Sequence, residues 1–509
     1  MARVAFCQDV VVEYMSFMCM AAVLKQAGHT VEVFVDQQGD GRRLLRELHD
    51  FRPDVVGFSL LTPSVPWALQ VAKRVKETIG AVTVVGNVHV MMCPDLITED
   101  GVDIACLGEG EDAMLELCAA IDAGSDYARI HGFWVKTPDR TVKNPMRADL
   151  VNVDEQPFID RQMYDRYLFF RHSPYLRVML GRGCPFRCTF CTNPALIDHF
   201  GGAKRYVRKR SPASAIAEVE YLIGRHPRRV KHVFIIDEVL WVKNDWLREF
   251  LTLWKARIGL PFSSNFRFGG IAEADIQLLA EAGAGPIGVA TETGDEEQRR
   301  TLLGKPVSDE HILQVTGWLR KYGVEFGSSA FFGLAGDTVE DHIRRLPFFR
   351  KVNPTYLWTT FFQPYPGLAL TRHEGVQRHM PESGRFESTV HHDMYLDLPD
   401  RDRLVNLKKV YFLMMRYPRS ERVLLWLTRF RIPLLFDLLF LSHFMFFVFW
   451  AERISFLQWL HHLRVFALNP WLRKKQPLAS TGRPYGLPWR RKVKGGAVAL
   501  RPIRADLVP

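Results

Sequence analysis

The stretch Arg182-Gly183-Cys184-Pro185-Phe186-Arg187-Cys188-Thr189-Phe190-Cys191-Thr192-Asn193-Pro194 decides how the rest of this 509-residue chain reads. Its spacing is Cys-x-x-x-Cys-x-x-Cys, and three thiolates on one short loop can hold three irons of a 4Fe–4S cluster. No fourth cysteine follows at ferredoxin spacing, so one iron would keep an open position. The alternatives are a zinc knuckle or three unrelated core thiols. Zinc normally takes a fourth Cys or His at short spacing, and none is close. The apolar run 176–180 precedes the loop, as a strand ending at an active site would.

Working outward, residues 171–375 repeat a strand–helix rhythm. Segments 177–181, 232–236, 261–268, 287–292, 325–334 and 356–362 read as strands. Helical stretches at 212–225, 245–258, 275–282 and 309–322 lie between them. Six such units imply a partial (β/α)6 barrel with its chemistry at the carboxyl ends of the strands. Polar motifs fall at those ends: Ile236-Asp237-Glu238, Asn265-Phe266-Arg267, Thr291-Glu292-Thr293-Gly294, Gly333-Leu334-Ala335-Gly336-Asp337-Thr338 and Pro364-Tyr365-Pro366-Gly367. Taken singly, a strand-end carboxylate is a helix cap or an ion-pair partner. Their order behind the cysteine loop is what carries the signal. Arg208 and Arg210 read either as anion binders or as a solvated basic helix entrance. Phe331, Phe332, Trp358, Phe361 and Phe362 read either as a pocket lining or as barrel core.

Upstream, residues 1–125 form a second α/β unit. The N-terminus and segments 31–35, 55–60 and 82–85 read as buried strands, with helices at 17–27, 66–79 and 111–121. Ligands on such sheets sit beyond the strands' carboxyl ends. Gly57-Phe58-Ser59-Leu60-Leu61-Thr62, Gly86-Asn87-Val88-His89 and Gly108-Glu109-Gly110-Glu111 fall there. Residues 126–170 read as a connector, 376–472 as a helical apolar region and 473–509 as a basic, flexible tail.

Together these segments resemble the cobalamin-binding members of the radical S-adenosylmethionine superfamily, which include class B methyltransferases and anaerobic magnesium-protoporphyrin monomethyl ester cyclases. The fold so implied is α/β: a Rossmann-like cobalamin-binding domain, a partial radical barrel and a C-terminal helical region. The resemblance assigns Cys184, Cys188 and Cys191 to a 4Fe–4S cluster. It assigns Phe190, Asp237, Glu238, Arg267, Glu292, Gly333 and Gly336 to S-adenosylmethionine. It assigns Ser59, Thr62, Gly86, Asn87, His89, Gly108, Glu109 and Gly110 to cobalamin. It implies an adenosyl radical that takes a hydrogen atom from the substrate, a methyl group delivered from methylcobalamin, and an external electron donor such as flavodoxin or ferredoxin. Two departures stand out. The Asp-x-His-x-x-Gly loop that ligates cobalt in methionine-synthase-like domains is replaced by Gln8-Asp9-Val10-Val11-Val12-Glu13. Asn87 stands where a second glycine is usual, and Asn tolerates left-handed backbone better than most residues. An α/β domain that has lost its corrinoid is the alternative.

Charge points elsewhere. Residues 401–509 carry 21 Lys/Arg against 5 Asp/Glu, while the first 400 hold 46 against 51. The excess is local, which argues for an anionic partner of the C-terminus and against a nucleic-acid-binding enzyme body. Residues 432–450 are nearly long enough to span a bilayer, yet Asp437 and His443 would be costly inside it. The region reads either as a monotopic contact with anionic membrane or as a helical cap over the barrel mouth. Eight cysteines without a disulfide framework and the lack of a visible signal peptide suggest a reduced cytoplasm, with the chain peripheral at the inner face of the membrane.

The leading expectation is C-methylation of an unactivated carbon in an apolar, lipid-like or natural-product substrate. The alternatives are an oxidative cyclase or ring-forming enzyme without methyl transfer, a transfer-RNA methylthiotransferase using Cys7, Cys93 and Cys106 for a second cluster, and a non-catalytic corrinoid protein.

Overall fold

The structure is a computed structural model; it describes residues 1–37, 39, 41–240, 244–380, 394–452 and 460. The expected basic tail at 473–509, and residues 453–459 and 461–472 of the apolar region, lie outside the described residues.

Two mainly parallel sheets organise the chain. In the first, β1 (Arg3–Gln8), β2 (Thr30–Val35), β3 (Val55–Ser59), β4 (Val82–Gly86) and β5 (Ile104–Cys106) run parallel. The antiparallel pair β6 (Phe133–Lys136) and β7 (Thr141–Lys143) extends the edge, giving the order β2-β1-β3-β4-β5-β6-β7. Helices cover both faces, so β3 is buried at every position and reads as a continuous apolar run. The chain leaves β1 toward β2 on one side and returns to β3 on the other. That makes the crevice above β1 and β3 a topological switch point, where open α/β sheets bind ligands.

The second sheet follows a connection over residues 144–174 that holds only the short helical turns Arg161–Tyr164 and Leu168–Arg171. Its strands are β8 (Tyr175–Val178), β11 (His232–Ile235), β12 (Phe262–Phe266), β13 (Ile287–Val289), β14 (Phe326–Phe332) and β15 (Tyr356–Phe361). All neighbours are parallel, in the order β15-β14-β13-β12-β11-β8. A separate two-stranded ribbon, β9 (Gly181–Arg182) with β10 (Arg208–Lys209), flanks the cysteine loop. Helices at Pro212–Arg225, Asn244–Leu253, Glu273–Glu281, Asp309–Lys321 and Val339–Val352 cover the outer side. One apolar core contains Phe6, Phe17, Leu117 and Phe133 of the first unit and Leu176, Val233, Phe262 and Val289 of the second. The two sheets therefore share buried packing.

The C-terminal helices correct one expectation. Helix Pro433–Glu452 lies along the barrel flank and does not cap its mouth: Phe447 packs on Tyr356 and Trp358 of β15, and Trp450 donates to Glu325 at 3.0 Å. The two residues that would be costly in a bilayer have protein partners. Asp437 pairs with Lys409 at 2.6 Å, and His443 bonds the Tyr356 hydroxyl at 3.1 Å and the Lys409 carbonyl at 3.0 Å. Among the described residues no helix is long and apolar enough to cross a membrane.

Candidate cofactor sites at two sheet ends

The cysteine loop is pinned at its centre. Thr189 donates its backbone N–H to Leu303 at 3.0 Å and its hydroxyl to Leu302 at 2.6 Å, and accepts from the Leu370 amide at 2.8 Å. Gly183 at the loop's start has φ of +83°, and a Cβ there would meet the Tyr206 ring at 2.8 Å; this turn requires glycine. The sulfurs have polar neighbours. Asn193 donates its backbone N–H (3.5 Å) and side-chain amide (3.4 Å) to Cys191, while Tyr206 donates to the Asn193 carbonyl oxygen at 2.8 Å. Arg267 donates to Cys188 at 3.5 Å and lies 3.6 Å over the Phe186 ring. Hydrogen bonds to the sulfurs are among the factors that tune such a cluster. Burial pushes the Cys184 thiol up to about 11 and raises Cys191 as well, so deprotonating this crowded group calls for bound cationic charge.

A mononuclear site would draw its ligands to one point, and among the described residues no three His, Cys, Asp or Glu side chains do so. A cluster takes one thiolate per iron, which suits three thiols spread along a loop. Cys7 and Cys106 are buried within strands β1 and β5 of the first sheet, and Cys93 lies beyond β4.

The other barrel residues divide by what they already hold. Phe190 meets Phe331 edge-on at 5.0 Å and Phe331 meets Phe362, so these rings stand beside the loop. Phe332 stacks on His342, and Trp358 and Phe361 face the C-terminal helices. Asp237 is buried, accepts the Leu180 amide at 2.8 Å and pairs with Lys209 at 2.6 Å. Glu238 keeps solvent contact, yet the protein crowded around its carboxyl raises it above the ordinary value, and the charge of Asp237 adds to this. Glu292 holds a φ of +67°, a strained value for a non-glycine residue. Its carboxylate is fixed by Lys305 at 3.2 Å and Ser329 at 2.7 Å. At Gly333 the space for a Cβ is filled by Met394, whereas a Cβ at Gly336 (φ +77°) would meet nothing within 4 Å among the described residues, which leaves the backbone there open to close approach. The loop carrying both is held by Asp337, which accepts the Leu334 amide and pairs with Arg345 at 2.8 Å and His342 at 3.2 Å. Burial opposes ionisation of Asp337, but its contacts with His342 and the Arg345 guanidinium win and bring it down to about 2.

Sequence reasoning passed over Gln363, just beyond β15. Both polar atoms of its amide are buried without a hydrogen-bond partner among the described residues. An unmade hydrogen bond in the interior costs about 1–3 kcal/mol per group, so this amide at the barrel's carboxyl end suits a ligand contact. Only burial in the fold marks it; Gln beside Pro has no signature in sequence.

The end of the first sheet is furnished with neutral groups. Ser59 closes β3, bonding Ser16 at 3.2 Å and accepting from the Asn87 amide at 2.8 Å. Asn87 adopts a φ of +80° and its side chain caps the Val88 amide at 2.6 Å. The Thr62 hydroxyl meets His89 Nδ1 at 3.0 Å, and burial lowers that imidazole to about 4, so it is neutral near pH 7. Gly86, Gly108 and Gly110 lie at the same end, with Met146 and Phe200 beside Gly108. This cradle of hydroxyls, an amide and a neutral imidazole at the switch point offers hydrogen bonds to a ligand without fixed charge of its own.

Glu109 stands apart from that cradle. It pairs with Arg182 at 2.7 Å and Arg208 at 2.6 Å and accepts the Val151 amide at 2.9 Å. Its carboxylate is therefore engaged within the protein. Arg208 is thus an ion-pair partner within the protein, and so is buried Arg210, which holds Glu218 at 2.8 Å.

Comparison with known proteins agrees with this geometry. Residues 9–118 match the family model of the B12 binding domain and residues 178–346 that of the Radical SAM superfamily. The anaerobic magnesium-protoporphyrin IX monomethyl ester cyclase of Rubrivivax gelatinosus is 26% identical over 364 residues, 68% of this chain and 63% of that protein. The hopanoid C-3 methylase of Methylococcus capsulatus is 28% identical over 233 residues, 44% of this chain and 42% of that protein. The chain thus spans less than two thirds of either relative. The radical S-adenosylmethionine methyltransferase TsrM of Kitasatospora setae, solved with cobalamin and a [4Fe-4S] cluster, superposes with a TM-score of 0.61 at 17% identity, covering 84% of this chain and 99% of that one. At that identity the likeness is one of fold.

Proposed function

We propose, from the premise that the chain belongs to the Radical SAM superfamily and carries a B12-binding domain, that it is a cobalamin-dependent radical enzyme methylating an unactivated carbon of an apolar substrate. When bound, the cluster and S-adenosylmethionine supply a 5′-deoxyadenosyl radical and methylcobalamin supplies the methyl group. The observation that carries the reading is the joining of a three-thiol loop and a neutral tail cradle at the carboxyl ends of two sheets sharing one core.

In this reading Cys184, Cys188 and Cys191 hold the cluster, with Arg267 and Asn193 donating to the sulfurs. Glu238 serves the amino end of S-adenosylmethionine, while Asp237 and Lys209 hold the strand end beneath it. Glu292 is oriented by Lys305 and Ser329, and Gly336 admits close backbone approach. Ser59, Thr62, Asn87 and His89 form the cobalamin tail cradle together with the glycines at 86, 108 and 110. Phe190, Phe331 and Phe362 exclude water beside the radical site. We divide the chain at 1–125, 126–170, 171–375, 376–472 and 473–509. Anaerobic reconstitution with iron, sulfide and hydroxocobalamin, then assay for metal and 5′-deoxyadenosine, tests the reading. About four irons, one cobalamin and reductant-dependent cleavage are expected; four irons without cobalamin would remove methyl transfer. The similarity to the cyclase supports a second reading, ring closure without methylation. A product heavier by one methyl decides between them.

The proposed partner of the C-terminus is an anionic membrane surface from which a lipid-like substrate enters, with the chain peripheral in a reducing cytoplasm. Val423, Trp426, Phe430, Ile432, Leu434 and Leu438 are all exposed, and Arg419, Arg422, Arg429 and Arg431 stand among them. An apolar face with a basic rim is the composition of a monotopic contact. Sedimentation with anionic vesicles, lost in neutral ones and in Trp426→Ser/Leu434→Ser, is expected; equal recovery of wild type with and without vesicles overturns it.

A further inference from the structure

The cobalamin-type sheet and the cysteine loop are joined by a buried cluster of charges that the chemistry described above does not use. Glu109 and Glu111 follow β5 of the first sheet; Arg182 and Arg208 belong to the ribbon β9–β10 beside the cysteine loop. Arg182 reaches both carboxylates, Glu109 at 2.7 Å and Glu111 at 2.5 Å. Arg208 forks onto both oxygens of Glu109, at 2.6 and 3.0 Å, and donates to the Val151 carbonyl at 2.7 Å. With the Val151 amide, Glu109 accepts four hydrogen bonds, about the capacity of a carboxylate. The side chains of Glu109, Arg182 and Arg208 are only 12%, 17% and 18% exposed.

Such a cluster contributes little net stability, because desolvating the charges offsets their attraction. What it gives is geometry, since a bidentate guanidinium–carboxylate pair accepts a narrow range of distances and angles. Here the geometry has a target. Arg182 lies two residues before Cys184, and the ribbon's other end carries Lys209, which holds Asp237. One ribbon thus links the loop after β5, the cysteine loop and the end of β11.

We propose that Arg182 and Arg208 are positioning residues that clamp the B12-binding sheet to the cysteine loop and so set the separation of the two cofactor sites. The proposal rests on the functional reading only where cobalamin is used to measure it. The first measurement uses the full chain as purified. Hydrogen exchange at 107–111 and 181–184 is expected to speed up about tenfold or more in Arg208→Met, and less in Arg208→Lys, which keeps the charge but loses the fork. Segments far from the clamp, such as 245–258, should not change. The second uses the reconstituted holoenzyme with both centres reduced to paramagnetic states. Pulsed dipolar spectroscopy between cluster and cob(II)alamin should give one narrow distance in wild type, and that sharp distance should be lost in Arg208→Met at unchanged iron and corrinoid content. Unchanged exchange at both segments in Arg208→Lys and Arg208→Met overturns the clamp, as does an unchanged distance distribution. A wild type that takes up no cobalamin would count against the functional reading alone, and the exchange measurement would still decide the clamp.

Discussion

The carboxyl ends of the two sheets are built from the same backbone geometry and furnished with opposite chemistry. Above β3 and β4 the polar groups are neutral: Ser59, Asn87, Thr62 and a His89 kept uncharged by burial. Above the barrel they are ionic: Asp237 with Lys209, Glu292 with Lys305, and Asp337 with Arg345. Parallel sheets place ligands at the same end whatever the ligand. The side chains there select for charge. The neutral cradle offers hydrogen bonds without fixed charge, and the ionic end holds its strand ends by buried ion pairs. Only the barrel end carries the three-thiol loop.

The contrast can be broken most severely at the cysteines. Replacing Cys184, Cys188 and Cys191 together by Ala should abolish iron binding and S-adenosylmethionine cleavage while leaving cobalamin uptake intact. Iron, corrinoid and 5′-deoxyadenosine assays read all three, and corrinoid lost together with iron would mean the two ends are not separate sites. The reciprocal change, Ser59→Leu, should lower cobalamin affinity by about tenfold or more, roughly one lost hydrogen-bond group plus a clash. Its iron content should remain that of wild type, as read by titration of corrinoid absorbance.

Lys209→Met sharpens the ionic side. It leaves Asp237 buried without its cation, and loss of one partner of a buried pair costs about 3–5 kcal/mol. Thermal unfolding should fall accordingly, and restoration by Lys209→Arg would identify charge as the cause. Acid gives a graded test of the neutral side. His89 is held down to about 4 by burial, as is His443 against the barrel flank. Both are depressed below the unfolded value near 6.5, so the unfolded chain binds more protons between those limits. Stability is fully present above about pH 6.5 and is lost as pH falls toward 4, by up to roughly 3 kcal/mol per histidine. A Thr62→Val/His89→Gln variant should lose the His89 part of that slope. The smallest effect belongs to Gln363→Glu, which keeps the shape but adds charge at the barrel end. S-adenosylmethionine affinity should shift by a few fold at wild-type iron content.

Local signals carried far into this fold. The apolar runs placed all six barrel strands to within a few residues, and helix 212–225 was legible from its proline entry and periodicity. Short or exposed strands were missed. β5, at three residues, is too brief for a periodic signal, and the β6–β7 pair was read as connector because only Phe133 and Val135 of its seven residues are buried. Helix Arg42–Phe51 was passed over although its buried residues Leu44, Leu48 and Phe51 stand at the i, i+4, i+7 spacing of one helical face.

The sequence by itself determined the chemistry available: three thiols at fixed spacing, neutral hydroxyls after one set of strands and carboxylates after another. Those follow from residue types a few positions apart, which local backbone geometry turns into a loop or a strand end. Tertiary structure alone decided which of these groups are already engaged. Glu109 pairs with arginines 73 and 99 residues away in sequence, Asp437 with Lys409, and Gln363 with no group among the described residues. Such partnerships depend on which strand ends the fold brings together, and no local pattern encodes them.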